Sequence, residues 1–174
     1  MPDSPIVAYY RGTGTDHAGR RLSDILAWDD EALEQVHDYV QWAFPNALPS
    51  RANSAAPLLT ADDISTFRSD PALQQALLAS LTRMLAFYGL ERSITPAGIR
   101  IEKSSTWPLR APHWLQPYNH NHLRLTRIMK CLLALGRDAD ARALQAVLLD
   151  IAERTDVRGV SRATARHWTG ALDG

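Results

Sequence analysis

Apolar residues recur at helical spacing along most of the chain, and proline, glycine and capping residues punctuate the runs. Leu22, Ile25 and Leu26 form a short apolar turn around Ser23, a good N-cap. A longer helix is predicted from Asp29 or Asp30 to Phe44, with Pro45 ending it. Residues 46–59 contain two prolines and read as a linker-like loop. Thr60 and Asp63 make a capping-box pattern for a short helix reaching Arg68. Asp70 and Pro71 then supply an N-cap and a proline at the first helical position. Leu73, Leu77, Leu81, Leu85 and Tyr88 carry that helix to Gly89, a glycine stop. Further helices are predicted from near Asn119 to Gly136, from Asp138 to Arg154 with Leu144, Val147, Leu148 and Ile151 facing inward, and over residues 162–172 behind Ser161.

Two stretches lack this rhythm. Residues 1–21, with Gly12, Gly14 and Gly19, read as an ordered arm or loop. Residues 90–118 are interrupted by Pro96, Pro108, Pro112 and Pro117, and only Ile99 to Ile101 suit a brief extended pair. This connection exceeds the roughly 12–15 residues of ordinary unstructured loops. It carries Trp107, His113, Trp114 and Tyr118, residues a disordered linker does not spend, so it reads as a packed lid. The expected fold is all-α: a compact bundle of about six or seven helices with one long Pro- and Trp-containing loop, no significant sheet, and one domain over residues 1–174.

Composition narrows the class without naming an activity. The 174 residues balance 19 basic against 19 acidic side chains, and 45% are apolar, which suits a globular chain. The single cysteine, Cys131, excludes an internal disulfide framework. No apolar run approaches the roughly 18 residues of a membrane span. The start MPDSPIVAYYRG lacks a basic lead, so no signal peptide is expected and a reducing cytoplasm is the expected compartment. Apart from Lys103 and Lys130, every basic residue is Arg. Arg offers a planar fork for carboxylate or phosphate, although high genomic G+C content gives the same bias. The balanced charge argues against a general polyanion binder.

The local constellations each have a functional and a structural reading. On a wheel of about 100° per residue, Leu125, Ile128, Met129, Leu132 and Leu135 share a core arc, and His120, Arg124, Arg127 and Cys131 fall on an adjoining stripe. Two guanidiniums and an imidazole at the start of a helix suit an anion; alternatively the arginines pair with carboxylates of neighbouring helices. His120 and His122 point about 200° apart on a helix, and no metal-ligand spacing is present, so no metal is expected. Trp42 sits nearly opposite Leu33 on its predicted helix, which means central burial or an exposed aromatic anchor. The C-terminal stretch DIAERTDVRGVSRATARHW is superficially like a helix-turn-helix, with Arg158, Arg162 and Arg166 on one face for phosphates; Ser161 as an ordinary N-cap is the plain alternative. No nucleophile elbow, phosphate loop or dinucleotide fingerprint occurs, the adjacency of Asp16 and His17 says nothing of their geometry, and Cys131 reads as an inert core thiol.

Several segments, in order, resemble one family: YYRGTGTDHAGRRLSDILAW, LEQVHDYVQWAFP, APLLTADDI, LTRMLAFYGL and NHNHLRLTRIMKCLLALG look like the conserved domain of the opioid growth factor receptor. The likeness runs from Tyr9 to Leu172, and HDYVQWAFP and NHLRLTRIMKCLLALG are its densest blocks. For animal members, the resemblance implies longer proteins with further C-terminal regions, described as receptors for an enkephalin pentapeptide at the nuclear envelope that slow proliferation. For this chain, which has no basic nuclear-localisation run, it implies a compact, stand-alone, microbial relative. The family motif carries no catalytic or ligand residues to transfer, so the expected site rests on the residues alone. The expectation is a non-enzymatic binding module without a cofactor. In it His120, Arg124 and Arg127 hold a small anionic ligand or peptide, and Trp42 or Trp114 adds apolar contact. The alternative is a nucleic-acid-binding protein that uses Arg158, Arg162 and Arg166.

Overall fold

A computed structural model describes residues 2–49, 53–154 and 159–173. Among these the chain is mostly helical, with one small antiparallel hairpin. It divides into two units, Met1–Arg83 with Ala134–Gly136, and Met84–Leu133 with Arg137–Gly174.

In the first unit, the segment read as an arm or loop contains α1 (Pro5–Tyr10). Ser4 caps it by accepting from the Val7 N–H, and Pro5 opens the first turn, where its missing N–H costs nothing. The Ser4 hydroxyl also donates to Asp63 on α5 (Ala61–Ser69), against which α1 packs. The Thr60–Asp63 capping box forms as predicted: the Thr60 hydroxyl accepts from Asp63 N, and Asp63 Oδ2 accepts from Thr60 N. After α2 (Leu22–Leu26), the single helix predicted up to Phe44 is two, α3 (Asp30–Gln35) and α4 (Val40–Ala43). The break begins at Val36, whose ψ of 130° is extended. One uninterrupted helix points Leu33 and Trp42 to opposite sides. The break re-aims the second piece, and both residues are buried. Side chains hold it open: Tyr39 Oη donates to the Leu33 carbonyl at 3.1 Å, and Asn53 Nδ2 to the Asp38 carbonyl at 2.9 Å.

Helix α6 (Pro71–Tyr88) starts where Asp70 Oδ1 accepts from Ala72 N and stops at Gly89, with φ +75°, as the sequence predicts. Its residues 71–83 belong to the first unit, where Arg83 Nη2 donates at 2.8 Å to both the Trp28 carbonyl and Asp30 Oδ1.

The second unit corrects the reading of residues 90–118. Strands β1 (Leu90–Thr95) and β2 (Gly98–Lys103) pair antiparallel, with Leu90 opposite Lys103 and Thr95 opposite Gly98. A turn of only Pro96 and Ala97 joins them. The strand signal was short because the hairpin buries little: Leu90 and Ile101 are buried, whereas Ile94 is exposed. Helix α7 (Trp107–Trp114) follows and contains two of the supposed helix-breaking prolines. Pro108 lies in the first turn, and Pro112 forfeits one bond just before the helix ends. Gly89 permits this path, since a Cβ there would stand 2.9 Å from the Trp107 Cα.

Helix α8 (Asn121–Ala134) begins two residues later than predicted, with Asn119 Oδ1 accepting from Asn121 N at 2.9 Å. Helix α9 (Asp138–Glu153) packs on β2, and α10 (Arg162–Thr169) packs on α9 before a closing 3-10 turn, Gly170–Leu172. The chief ionic tie of this unit is Asp140. Its buried carboxylate takes Arg92 Nε from β1 at 2.5 Å and Arg137 Nη2 at 2.9 Å. Removing it takes the buried carboxylate from Arg92 and breaks its pair with Arg137, so Asp140→Ala is expected to destabilise the protein by about 3–5 kcal/mol. Urea unfolding measures this, and a loss under about 1 kcal/mol would contradict the ionic account.

Candidate functional site

The predicted stripe on α8 runs from the surface into the core of the second unit. His120 precedes the helix and is half-buried, Arg124 is 6% exposed, Arg127 is half-buried, and Cys131 is fully buried. Arg124 Nη1 donates to Asn121 Oδ1 at 3.3 Å, and that oxygen also accepts from Tyr88 Oη at 3.3 Å. Burial lowers the basicity of Arg127 and pushes the Cys131 thiol far above its ordinary pKa, which keeps the thiol protonated.

His122 is the residue that sequence reasoning set aside. Its ring is buried between two indoles at near-perpendicular angles, 6.4 Å from Trp114 and 5.5 Å from Trp168. Its Nε2 stands 2.9 Å from the Trp114 carbonyl, and its own carbonyl accepts from Trp168 Nε1 at 3.3 Å. Trp114 is equally fixed: it is 1% exposed and donates Nε1 to the Tyr88 carbonyl at 3.0 Å. One imidazole thus ties the end of α7, the start of α8 and α10. The only sequence signals were the histidine itself and a late tryptophan, which no local spacing connects.

That tie brings together two elements that the sequence treated as separate candidates. Arg162 and Arg166 are exposed on α10, while Trp168 on the same helix packs against His122 at the start of α8. Arg158 lies outside the described residues. Gly159, just before α10, is buried against the loop after α7: a Cβ there would fall 2.0 Å from the Leu115 oxygen.

The remaining candidates belong to the first unit. Trp42 is 6% exposed, edge-on to Tyr9 at 5.4 Å and parallel to His17 at 6.4 Å. Asp16 and His17 diverge. The Asp16 carboxylate accepts from the N–H groups of Ala18 and Arg20 and from Arg20 Nε at 2.7 Å, whereas His17 Nε2 meets Asp38 at 3.1 Å. Burial, and then the nearby Asp16 charge, pushes the Tyr9 phenol above its ordinary pKa. Among the described residues, no group of three or more His, Cys, Asp or Glu side chains is placed to hold a metal ion.

Formal charge is divided unevenly between the units. By sequence, the first unit carries six basic and eleven acidic residues, and the second thirteen basic and eight acidic. A net charge of zero is therefore −5 and +5. Between Glu102 and Asp138, the stretch that includes α7 and α8, there is no acidic residue.

His122 also sets a pH dependence. Burial lowers its pKa from the ordinary 6.5, against the raising effect of the Trp114 carbonyl contact. As pH falls, the unfolded chain therefore takes up this proton first. The stabilisation is present above the unfolded value and is lost as pH drops through it toward the folded value. The urea midpoint should fall between about pH 7.5 and about pH 5.5, and His122→Gln should shrink that fall. An equal fall in both proteins would contradict this assignment.

Residues 19–165 match the family described as "Opioid growth factor receptor (OGFr) conserved region". The chain is 35% identical over 121 residues to the opioid growth factor receptor of Mus musculus, covering 68% of this chain and 19% of that protein. It is 30% identical over 182 residues to the opioid growth factor receptor of Homo sapiens, covering 98% of this chain and 25% of that protein. Opioid growth factor receptor-like protein 1 of Mus musculus is 34% identical over 111 residues, which cover 64% of this chain and 23% of that protein. The chain thus spans a quarter or less of the length of these relatives. No solved structure matches it. Among the described residues, no helix is long and apolar enough to cross a membrane. With the family match covering most of its length and relatives at 30–35% identity, the chain belongs to the opioid growth factor receptor conserved-region family.

Proposed function

We propose that the chain is a non-enzymatic binding module and that the start of α8 receives an anionic group, the carboxylate or phosphate of a small ligand or peptide. His120, Arg124 and Arg127 are the contacts; Trp114 and Trp42, at 1% and 6% exposure, are core side chains. One observation carries this reading: Arg124, buried, and Arg127, half-buried, stand one turn apart on α8, with half-buried His120 just before the helix. A guanidinium fork in a partly desolvated setting recognises a carboxylate or phosphate more strongly than one in water. The relatives' name, receptor, describes a binding role for those proteins, which is consistent with this reading.

Isothermal titration with citrate and with phosphate tests it. Arg127→Gln should weaken binding about tenfold with the fold intact, and joint replacement of Arg124 and Arg127 by Ala should abolish it. Unchanged affinity in Arg127→Gln would make the stripe structural and end the proposal.

A further inference from the structure

A buried phenol or indole normally finds a hydrogen-bond partner, because an unmet polar atom loses its hydration for nothing in return. Seven tyrosines and tryptophans are buried among the described residues. Five are satisfied: Tyr10 Oη donates to the Ala43 carbonyl, Tyr39 Oη to the Leu33 carbonyl, Tyr88 Oη to Asn121 Oδ1, Trp114 Nε1 to the Tyr88 carbonyl and Trp168 Nε1 to the His122 carbonyl. The other two are Tyr9 and Trp42, whose Oη and Nε1 have no partner among the described residues. These two touch each other, edge-on with ring centroids 5.4 Å apart. A third such atom, Gln41 Oε1, belongs to the residue before Trp42 on α4. All three side chains are more than nine-tenths buried and lie in the first unit. Unmet polar atoms gathered beside aromatic rings are the makings of a small-molecule site.

The hydrogen-bonding needs of the three atoms define the occupant. Trp42 Nε1 can only donate and Gln41 Oε1 can only accept, whereas Tyr9 Oη can do either. An ammonium has no lone pair to offer the indole. An anion has no proton for Gln41, and it meets the field of Asp16, which after burial is the next cause raising the Tyr9 pKa. Arg20, the cation nearby, is already held by Asp16 and Asp38. A neutral group that is donor and acceptor at once satisfies the set. We infer that Tyr9, Gln41 and Trp42 bind a small neutral molecule that presents a hydroxyl or a carboxamide. Its oxygen accepts from the indole, its O–H or N–H goes to Gln41, and its carbon skeleton lies against the two rings. His17, partly exposed and held by Asp38 at 3.1 Å, lies parallel to the same indole at 6.4 Å, which places the site one ring in from solvent. The site is independent of the α8 stripe.

Nuclear magnetic resonance on the full chain reads it through the Trp42 indole N–H, assigned by its loss in Trp42→Phe. The probes are benzamide and benzyl alcohol, set against toluene, benzoate and benzylammonium. Benzamide and benzyl alcohol should move that resonance saturably, at affinities about tenfold above those of the other three. Tyr9→Phe removes a hydroxyl that has no partner, so its melting temperature should not fall, whereas Tyr10→Phe, which loses a made bond, should melt lower. Tyr9→Phe and Gln41→Leu should each weaken benzamide about tenfold. Silence of the Trp42 indole toward every probe, equal affinity for toluene, or unchanged benzamide binding in both variants would overturn the inference. So would a melting-temperature loss in Tyr9→Phe as large as in Tyr10→Phe, which would mean that an ordered water alone fills the place.

Discussion

The second unit depends on one buried imidazole. His122 receives the end of α7 through the Trp114 carbonyl, lies between the Trp114 and Trp168 rings, and returns its own carbonyl to the Trp168 indole. Each link is modest, about 1 kcal/mol for a neutral hydrogen bond and a similar amount for an aromatic edge contact. Their importance lies in convergence, because the end of α7, the start of α8 and α10 all meet at this ring.

The sequence disclosed helices where capping chemistry was local. Thr60 with Asp63, Asp70 with Pro71, and the glycine stops at Gly89 and Gly136 each act within a few residues and appear as predicted. It failed where distant partners decide. The break at Val36 is held by Tyr39 and by Asn53, a residue far along a loop, and a wheel drawn on one segment cannot see that. The hairpin was nearly silent because a small, half-exposed sheet needs few apolar positions, and α7 because its prolines fall where a short helix tolerates them. The stripe of His120, Arg124 and Arg127 was legible from spacing, whereas His122 was not, since it owes its role to a tryptophan 46 residues away.

The charge division changes how the arginine bias reads. Spread over the whole chain, it looked like composition. Divided between the units, it leaves one acidic and the other basic. Complementary charge steers a partner and fixes its register, while buried apolar contact supplies most of the affinity.

The central claim is that recognition takes place at the start of α8, on the surface that His122 organises. Amide chemical-shift mapping of the full chain during titration with phosphate tests it directly. The account expects shifts at His120 and Arg127, with the Trp168 indole responding through His122. Shifts confined to residues 2–49, with residues 113–130 silent, would contradict it.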